Sequence, residues 1–376
     1  MKTDFLIVGC GFYGAVLAER IANILKKEVV IIDKKDHVGG NCFSEVDKKT
    51  GIEYHKYGTH IFHTGNQLVW NYINQFTRFN NYRHQVLSSH NGKIYQMPIN
   101  LETINSFYKK NFSPAEARRH VNLEAEKFKN FKFKNFEDKA KSQIGEKLYN
   151  AFIKGYTIKQ WGKSPKFLPE SIFNRLPIRF NYNEDYYSQI QYQGIPLKGY
   201  TEIFKNLLDK KNIKILLKEN YHLDYKIKPR HGTIYTGPLD SLFKFKFSKL
   251  EWRSLKFIKK FYKLNDFQGS SVINYPDLKD KHTRIHEPKH LHPERKAYTQ
   301  NKTLIIKEFS IKDDKNPYYP INDSVNREKH RKYINLANKI KAFYIGGRLG
   351  DYAYYDMDMT ISAALKKFNL IKKNSI

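Results

Sequence analysis

The chain has 376 residues, more than one hydrophobic core usually serves, so two or three domains are expected. Its 40% hydrophobic content, with 27 Tyr and 26 Phe, excludes a disordered chain and supplies enough aromatic surface for sizeable cores and an aromatic-lined cleft. Two cysteines exclude a disulfide framework, and the formal charge of +30 is scattered as lysine through stretches such as KNFKFKNFEDKAK rather than gathered in an Arg-rich arm; it reads as solvated surface, with steering of an anionic substrate as its functional sense, and not as nucleic-acid binding.

DFLIVG opens as a short buried strand. GCGFYG follows, with Gly9, Gly11 and Gly14 at G-x-G-x-x-G spacing, and AVLAERIANILKK has the apolar period of a helix. EVVIID then gives a second strand ending at Asp33, about 20 positions beyond the last glycine. A lone glycine fingerprint is weak, but within this βαβ unit it predicts a dinucleotide, its pyrophosphate on the helix N-terminus and its ribose on the acidic residue. The stretch from His37 to Thr64 (HVGGNCF…YGTHIFHT) reads as loop with short strands. His60 and His63 lack a third ligand nearby, so no metal site is expected there.

Helices are expected from about residue 100 to 200. LETINSFYKKNF is one, Ser113-Pro114-Ala115-Glu116 carries the start signal of another, and EKLYNAFIKGYTIKQW is amphipathic. Between 161 and 179, prolines 165, 169 and 177 mark a loop of the kind that often closes over a site. NIKILLK and GTIYTGPLD resume strands. The segment 242–315 reads as β-rich, with KFKFSKL and TLIIKEF as alternating pieces of an antiparallel sheet. His282, His286, His290 and His292 read as a solvated loop rather than a metal site. KAFYIGGRLGDYAYYDMDMTISAALKKF closes the chain as strand, glycine turn and helix. Nothing resembles a signal peptide or an apolar run long enough to span a bilayer, so a soluble cytoplasmic protein is expected.

GCGFYGAVLAERI, VGGNC, YGTHIFHT, FIKGYTIKQW, RLPIRFNYN, YTGPLD, TRI and GRLGDYAYYDMD stand in the order and spacing of the bacterial UDP-galactopyranose mutases. The chain resembles that family over nearly its whole length. The resemblance implies an α/β fold with a discontinuous Rossmann-like FAD-binding domain (1–76, 206–241 and 318–376). A helical domain (100–200, with mobile loop 161–179) and an antiparallel β-sheet domain (77–99 and 242–317) would be inserted into it. It implies interconversion of UDP-galactopyranose and UDP-galactofuranose with no net redox, reduced FAD acting as a nucleophile on the sugar through an N5–sugar adduct. The same chemistry on UDP-N-acetylgalactosamine, a flavin oxidase of the amine-oxidase type, and a basic nucleic-acid-binding protein on a cofactor fold are the alternatives.

By the same resemblance, FAD would be held by Gly9, Gly11, Gly14, Asp33, Lys34, Gly40, Asn41, His60, Gly347, Arg348, Asp356 and Met357, with Gly39, Gly346 and Gly350 easing the backbone's approach. His63 would lie near flavin N5, and Asp356 where flavin meets sugar. Phe152, Tyr156, Thr157 and Trp161 would line the uridine and sugar pocket. Arg175, on the closing loop, and Arg284 would hold the diphosphate with Tyr186, Tyr319 and Tyr354, since a guanidinium donates in a fixed fork and stays charged. Three positions depart from the family pattern. Asp33 stands where Glu is usual, Thr59 where Pro or Ala is usual, and His84 where Asn is usual. Thr59 and His84 would both face the sugar. The family is commonly dimeric, and an external reductant would be needed.

Overall fold

The structure is a computed structural model; it describes residues 2–129, 133–175, 178–187, 190–295, 298, 301–313 and 316–375, and the side chains of 171, 174, 175, 374 and 375 lie outside that description. The apolar run at the N-terminus forms strand Phe5–Val8, at the centre of a five-stranded parallel sheet. Val29–Asp33 pairs on one side in register Leu6↔Val30, followed outward by Ile213–Leu217; Gly232–Tyr235 and Phe343–Ile345 complete the other side. The central strands are buried, which is why they read as continuous rather than alternating apolar runs. Helix Phe12–Ile24 packs on this sheet beside Met357–Ser375, and both meet helix Tyr200–Leu208 in one core. This last helix straddles the segment boundary expected at 206 because its apolar face, Ile203, Phe204 and Leu207, belongs to the nucleotide-fold core.

A seven-stranded sheet runs in the order Tyr319–Pro320, Trp252–Tyr262, Thr303–Ile311, Arg284–His286, Val272–Asn274, Val86–His90, Lys93–Met97. It is antiparallel except where Val272–Asn274 meets Val86–His90 in parallel, the junction between two distant stretches of chain. Tyr319–Pro320 pairs with Trp252 and Arg253, so the chain leaves this sheet later than the expected boundary at 317. TLIIKEF is the long strand anticipated, but KFKFSKL is not a strand. Lys244, Phe245 and Ser248 take positive φ, and the stretch forms turns whose Phe247 amide donates to the Tyr333 hydroxyl at 2.8 Å. Period-two alternation of Lys and Phe has no partner strand there to exploit.

The helical part begins with Leu101–Tyr108. Ser113 and Glu116 form the capping box their spacing announced, and Pro114–Glu126 follows. EKLYNAFIKGYTIKQW continues Phe136–Leu148 through a wide turn, Tyr149–Lys154, into helix Gly155–Trp161. Among the described residues no helix is long and apolar enough to cross a membrane.

Candidate active site

Two clefts share a wall. The first, about 630 Å³, runs along the glycine turn and the segments 219–221 and 236–241 to the turn at Gly347. Gly9 has φ +106°, and a Cβ there would stand 2.0 Å from Thr236 Oγ1, whose hydroxyl is committed to the Val8 carbonyl at 2.8 Å. A Cβ on Gly14 would strike the Gly9 carbonyl oxygen at 2.0 Å, so the turn itself requires the third glycine. Helix Phe12–Ile24 starts at Gly11 with no side-chain cap and no acidic residue in its first turn. Its leading amides therefore face the cleft as donors, which suits a pyrophosphate.

Asp33 accepts the Cys10 amide at 2.7 Å and the Lys35 amide at 2.8 Å, one on each oxygen, and thereby braces the turn it faces. Each oxygen keeps a lone pair for a ribose hydroxyl. Lys34 lines the cleft, but Lys35, which the sequence reading passed over, ties the VGGN loop together. Its ammonium donates to the Gly40 carbonyl (3.2 Å) and Asn41 Oδ1 (2.8 Å) while lying 3.6 Å from the Tyr57 ring centre. Burial pulls this amine down to about 8.

Asn41, His60, Arg348 and Met357 also wall the second cleft, about 210 Å³, so the far end of the first opens onto it. His60 Nδ1 lies 2.6 Å from the Gly58 carbonyl, and since a carbonyl only accepts, Nδ1 carries the proton. Burial, then Arg348, push this histidine down to about 4. Arg348 donates to the Tyr355 carbonyl through Nε at 3.1 Å, and its guanidinium faces the stacked rings of Tyr319 and Tyr354, 5.3 Å apart at 12°.

The second cleft gathers Thr59, His63, His84, Tyr186, Arg284, Tyr319, Tyr354 and Asp356, all named from the sequence. His63 stacks on Tyr187 at 3.9 Å; burial lowers its pKa against the pull of Asp356 and Asp358. His84 is buried behind Tyr186 and Tyr187, with Nδ1 3.1 Å from the Tyr82 hydroxyl and its amide on Gln193 Oε1 at 3.1 Å. Burial, then Arg284, His286 and His63, push it down to about 3, so it is neutral at physiological pH.

Arg284 Nε donates to the Tyr156 hydroxyl at 2.7 Å and stands 3.9 Å from Glu308 Oε1. Burial opposes its charge, but Tyr156 and Glu308 hold it well above its ordinary value. Glu308 in turn bonds His286 Nε2 at 2.9 Å. Burial raises this carboxyl, yet Arg284 and His286 outweigh it and hold it near 2. Among the described residues the two Nη groups of Arg284 make no hydrogen bond to protein, and the residue lines the cleft. That fork suits an anion with two acceptor oxygens.

Not every named residue lines a cleft. Phe152 is a core residue of the helical part, its ring 5.0 Å from Tyr95 and 5.5 Å from Phe107. Thr157 is buried and Trp161 packs half-buried against the same core. Tyr156 reaches the cleft only through Arg284. The Arg175 side chain lies outside the described residues. Conversely Glu308 and Tyr187 belong to the cleft and were not anticipated, and His286, read from the sequence as part of a solvated loop, is a buried strand residue that lines it. His286 was legible, since in the strand RIH a period of two puts it on the face of Arg284. Glu308 was not, because only the register Arg284↔Glu308 brings it there. Among the described residues one group has metal-ligand spacing, Asp266, Glu287 and His290; its two carboxylates already accept from the amides of 267–269, and its histidine lies against both of them.

A family model described as UDP-galactopyranose mutase matches residues 151–354, and one described as an NAD(P)-binding Rossmann-like domain matches 7–76. A probable UDP-galactopyranose mutase of Klebsiella pneumoniae is 40% identical over 365 residues, 96% of this chain and 93% of its own. A dTDP-fucopyranose mutase of Escherichia coli is 38% identical and covers 98% of both chains. The crystal structure of a reduced UDP-galactopyranose mutase superimposes with TM-score 0.76 at 14% identity over 100% of this chain and 94% of that one, a likeness of fold.

Proposed function

The chain belongs to the UDP-galactopyranose mutase family, and on that premise we propose that it interconverts UDP-galactopyranose and UDP-galactofuranose, with reduced FAD along the glycine cleft and the nucleotide sugar in the cleft beside it. The observation that carries the proposal is the shared wall of Asn41, His60, Arg348 and Met357, which joins a dinucleotide cleft to one lined by Arg284, whose two Nη groups make no hydrogen bond among the described residues. Bound FAD in its reduced state supplies the nucleophile at the anomeric carbon.

The chain's own residues bind, orient and exclude. Gly9, Gly11 and Gly14, with the helix amides, hold the pyrophosphate, and Asp33 the ribose. Lys34, Gly40, Asn41, Gly347 and Met357 border the rest of the cofactor. Arg284 holds the diphosphate while it is detached from the sugar, together with Tyr186, Tyr319 and Tyr354, and Arg175 joins it from the 161–179 loop. A bound leaving group stays at high effective concentration for its return, and a closed cleft keeps water from the reacting carbon. Asp356, His63, His84 and Thr59 surround the sugar. A pyranose that reopens and recloses on another hydroxyl must lose one hydroxyl proton and gain another. His63 and His84, both kept neutral, offer a donor and an acceptor nitrogen for such a transfer. Tyr156 acts on the diphosphate through Arg284, while Phe152, Thr157 and Trp161 back it as the packed interior of the helical part. The three-part division of the chain, a homodimer, a cytoplasmic location and an unidentified electron donor belong to the same proposal and rest on the family resemblance.

Dithionite-reduced protein should equilibrate UDP-galactofuranose with UDP-galactopyranose, followed by chromatography, without consuming reductant per turnover. Steady consumption of oxygen or reductant would point instead to an oxidase, and no conversion at all would overturn the proposal. Two further substrates belong in the assay. The Escherichia coli relative's name makes dTDP-fucopyranose one, and Thr59 and His84 at the sugar make UDP-N-acetylgalactosamine the other.

A further inference from the structure

The helix Gly155–Trp161 carries Tyr156, the hydrogen-bond partner of Arg284, and one turn further on it carries Lys159. Among the described residues the Lys159 ammonium makes no ion pair with a carboxylate. It donates instead to four backbone carbonyls of a single connection, those of Tyr275, Asp277 (2.9 Å), Asp280 (2.9 Å) and His282 (3.0 Å). That connection joins strand Val272–Asn274 to strand Arg284–His286 and is closed at its base by the Tyr275 amide on the Thr283 carbonyl at 2.9 Å. The carbonyls of one loop thus turn inward on a point where only a cation relieves their mutual repulsion, and an ammonium has three donors to share among them. Burial draws the amine down to about 8 against the pull of Asp280 and Asp277.

The helix and loop are built to meet. Gly155 lies so close to the loop that a Cβ would stand 2.2 Å from the Pro276 carbonyl oxygen. On the helix's other side, Arg253 and Ser310 bind the Gln160 carbonyl at 3.1 and 2.6 Å, fixing its C-terminal end to the sheet. Arg284 follows the loop directly, and its Nε is held by the same helix through Tyr156.

We propose that Lys159 serves as an internal monovalent cation: its ammonium fills a four-carbonyl cage in the 275–283 loop and so locks that loop to the helix, making Lys159 a positioning residue for the anion-binding fork of Arg284. The inference rests on the reading of Arg284 as the diphosphate ligand.

The test uses FAD-loaded protein and UDP itself as probe, with affinity measured by titration calorimetry and flavin retention by absorbance. Arg284→Ala should weaken UDP binding at least tenfold; if it does not, the reading of Arg284 fails and the role of Lys159 falls with it. Lys159→Ala should also weaken UDP binding at least tenfold while keeping its flavin. In the Arg284→Ala background the same Lys159 substitution should add less than twofold, because it acts through that residue. Truncation leaves the cage open, so ammonium or potassium chloride, but not the chloride of a bulky quaternary amine at equal ionic strength, should restore most of the UDP affinity of Lys159→Ala and leave the parent protein unchanged. Unchanged affinity in Lys159→Ala, additive losses in the double variant, or failure of every small cation to restore binding in a variant that still holds flavin would each overturn the proposal. Should Lys159→Ala not fold, Lys159→Met takes its place; it keeps the chain length without the charge and is judged by the same affinity and additivity.

Discussion

The cleft along Gly9 to Gly14 takes its anchoring polar groups mainly from a glycine turn and a helix start, whereas the cleft beside it is walled by rings and by charges set against one another. In the first, the helix amides, the glycine faces and one carboxylate that already braces the turn make the site. In the second, half-buried Arg284 stands against buried Glu308, which also bonds His286, with His63, His84 and six tyrosines around them. A site of backbone fixes geometry and asks little of electrostatics. A site of buried side chains depends on each partner's presence, since removing one leaves another's charge or dipole unmatched in a medium that screens poorly.

The largest expected effect breaks the first cleft at its backbone. In Gly9→Ala the new methyl meets a hydroxyl that cannot swing aside without losing its bond to the Val8 carbonyl, and an L residue resists φ +106° besides. The variant should purify without the yellow of a bound flavin and show no turnover. Normal flavin content would mean that the turn tolerates a side chain and that the cleft is not set by its glycines.

Next comes Arg284→Ala, which breaks the second cleft and spares the first. Loss of one charged donor fork from such a site costs turnover on the order of 100-fold. Flavin content should stay at parent level, and a parent-like rate would remove Arg284 from the site. Arg284→Lys keeps a charge for Glu308 but not the fork, so it should fold as the parent does and still lose most of the rate.

Asp33→Asn sharpens the contrast with a smaller effect. The amide oxygen accepts from only one of the Cys10 and Lys35 amides, its NH2 is set against the other, and it carries no charge. Flavin should bind about tenfold more weakly, with the rate at saturating flavin unchanged. A changed saturated rate would mean that the first cleft reaches into the chemistry.

The same contrast explains what the sequence could tell. The glycine end of the first cleft lies within one βαβ unit, so spacing alone located Gly9, Gly11, Gly14 and Asp33. The second is assembled from stretches that period and propensity do not connect. Tyr156 and Arg284 are bonded across 128 positions of chain, and Glu308 arrives only through strand register. There the family resemblance named Arg284, Tyr186, Tyr319 and Tyr354, but not the carboxylate that sets the charge of Arg284. Local signals succeeded where one segment makes its own structure, as in the Ser113–Glu116 capping box. They failed at Lys244–Leu250, where alternation imitated a strand in a segment that turns through positive φ.

The smallest effect separates the clefts by pH. His84 is kept neutral by burial and by Arg284, its pKa about 3, while the unfolded chain takes up a proton near the ordinary histidine value of about 6.5. Between those values the unfolded state binds a proton that the folded state refuses. The stability due to a neutral His84 is therefore present above about pH 6.5 and is lost as the pH falls through that window toward 3. From pH 7 to pH 5 the loss is on the order of 2 kcal/mol for this residue. His60, held near 4, adds a loss of the same sign. In His84→Asn the proton-binding group is gone while a side chain that can hydrogen-bond remains, so the thermal midpoint should drop less between pH 7 and pH 5 than in the parent protein. Equal drops would mean that His84 is protonated in the fold, and a cationic His84 beside Arg284 would then have to be counted with the charges that meet the diphosphate.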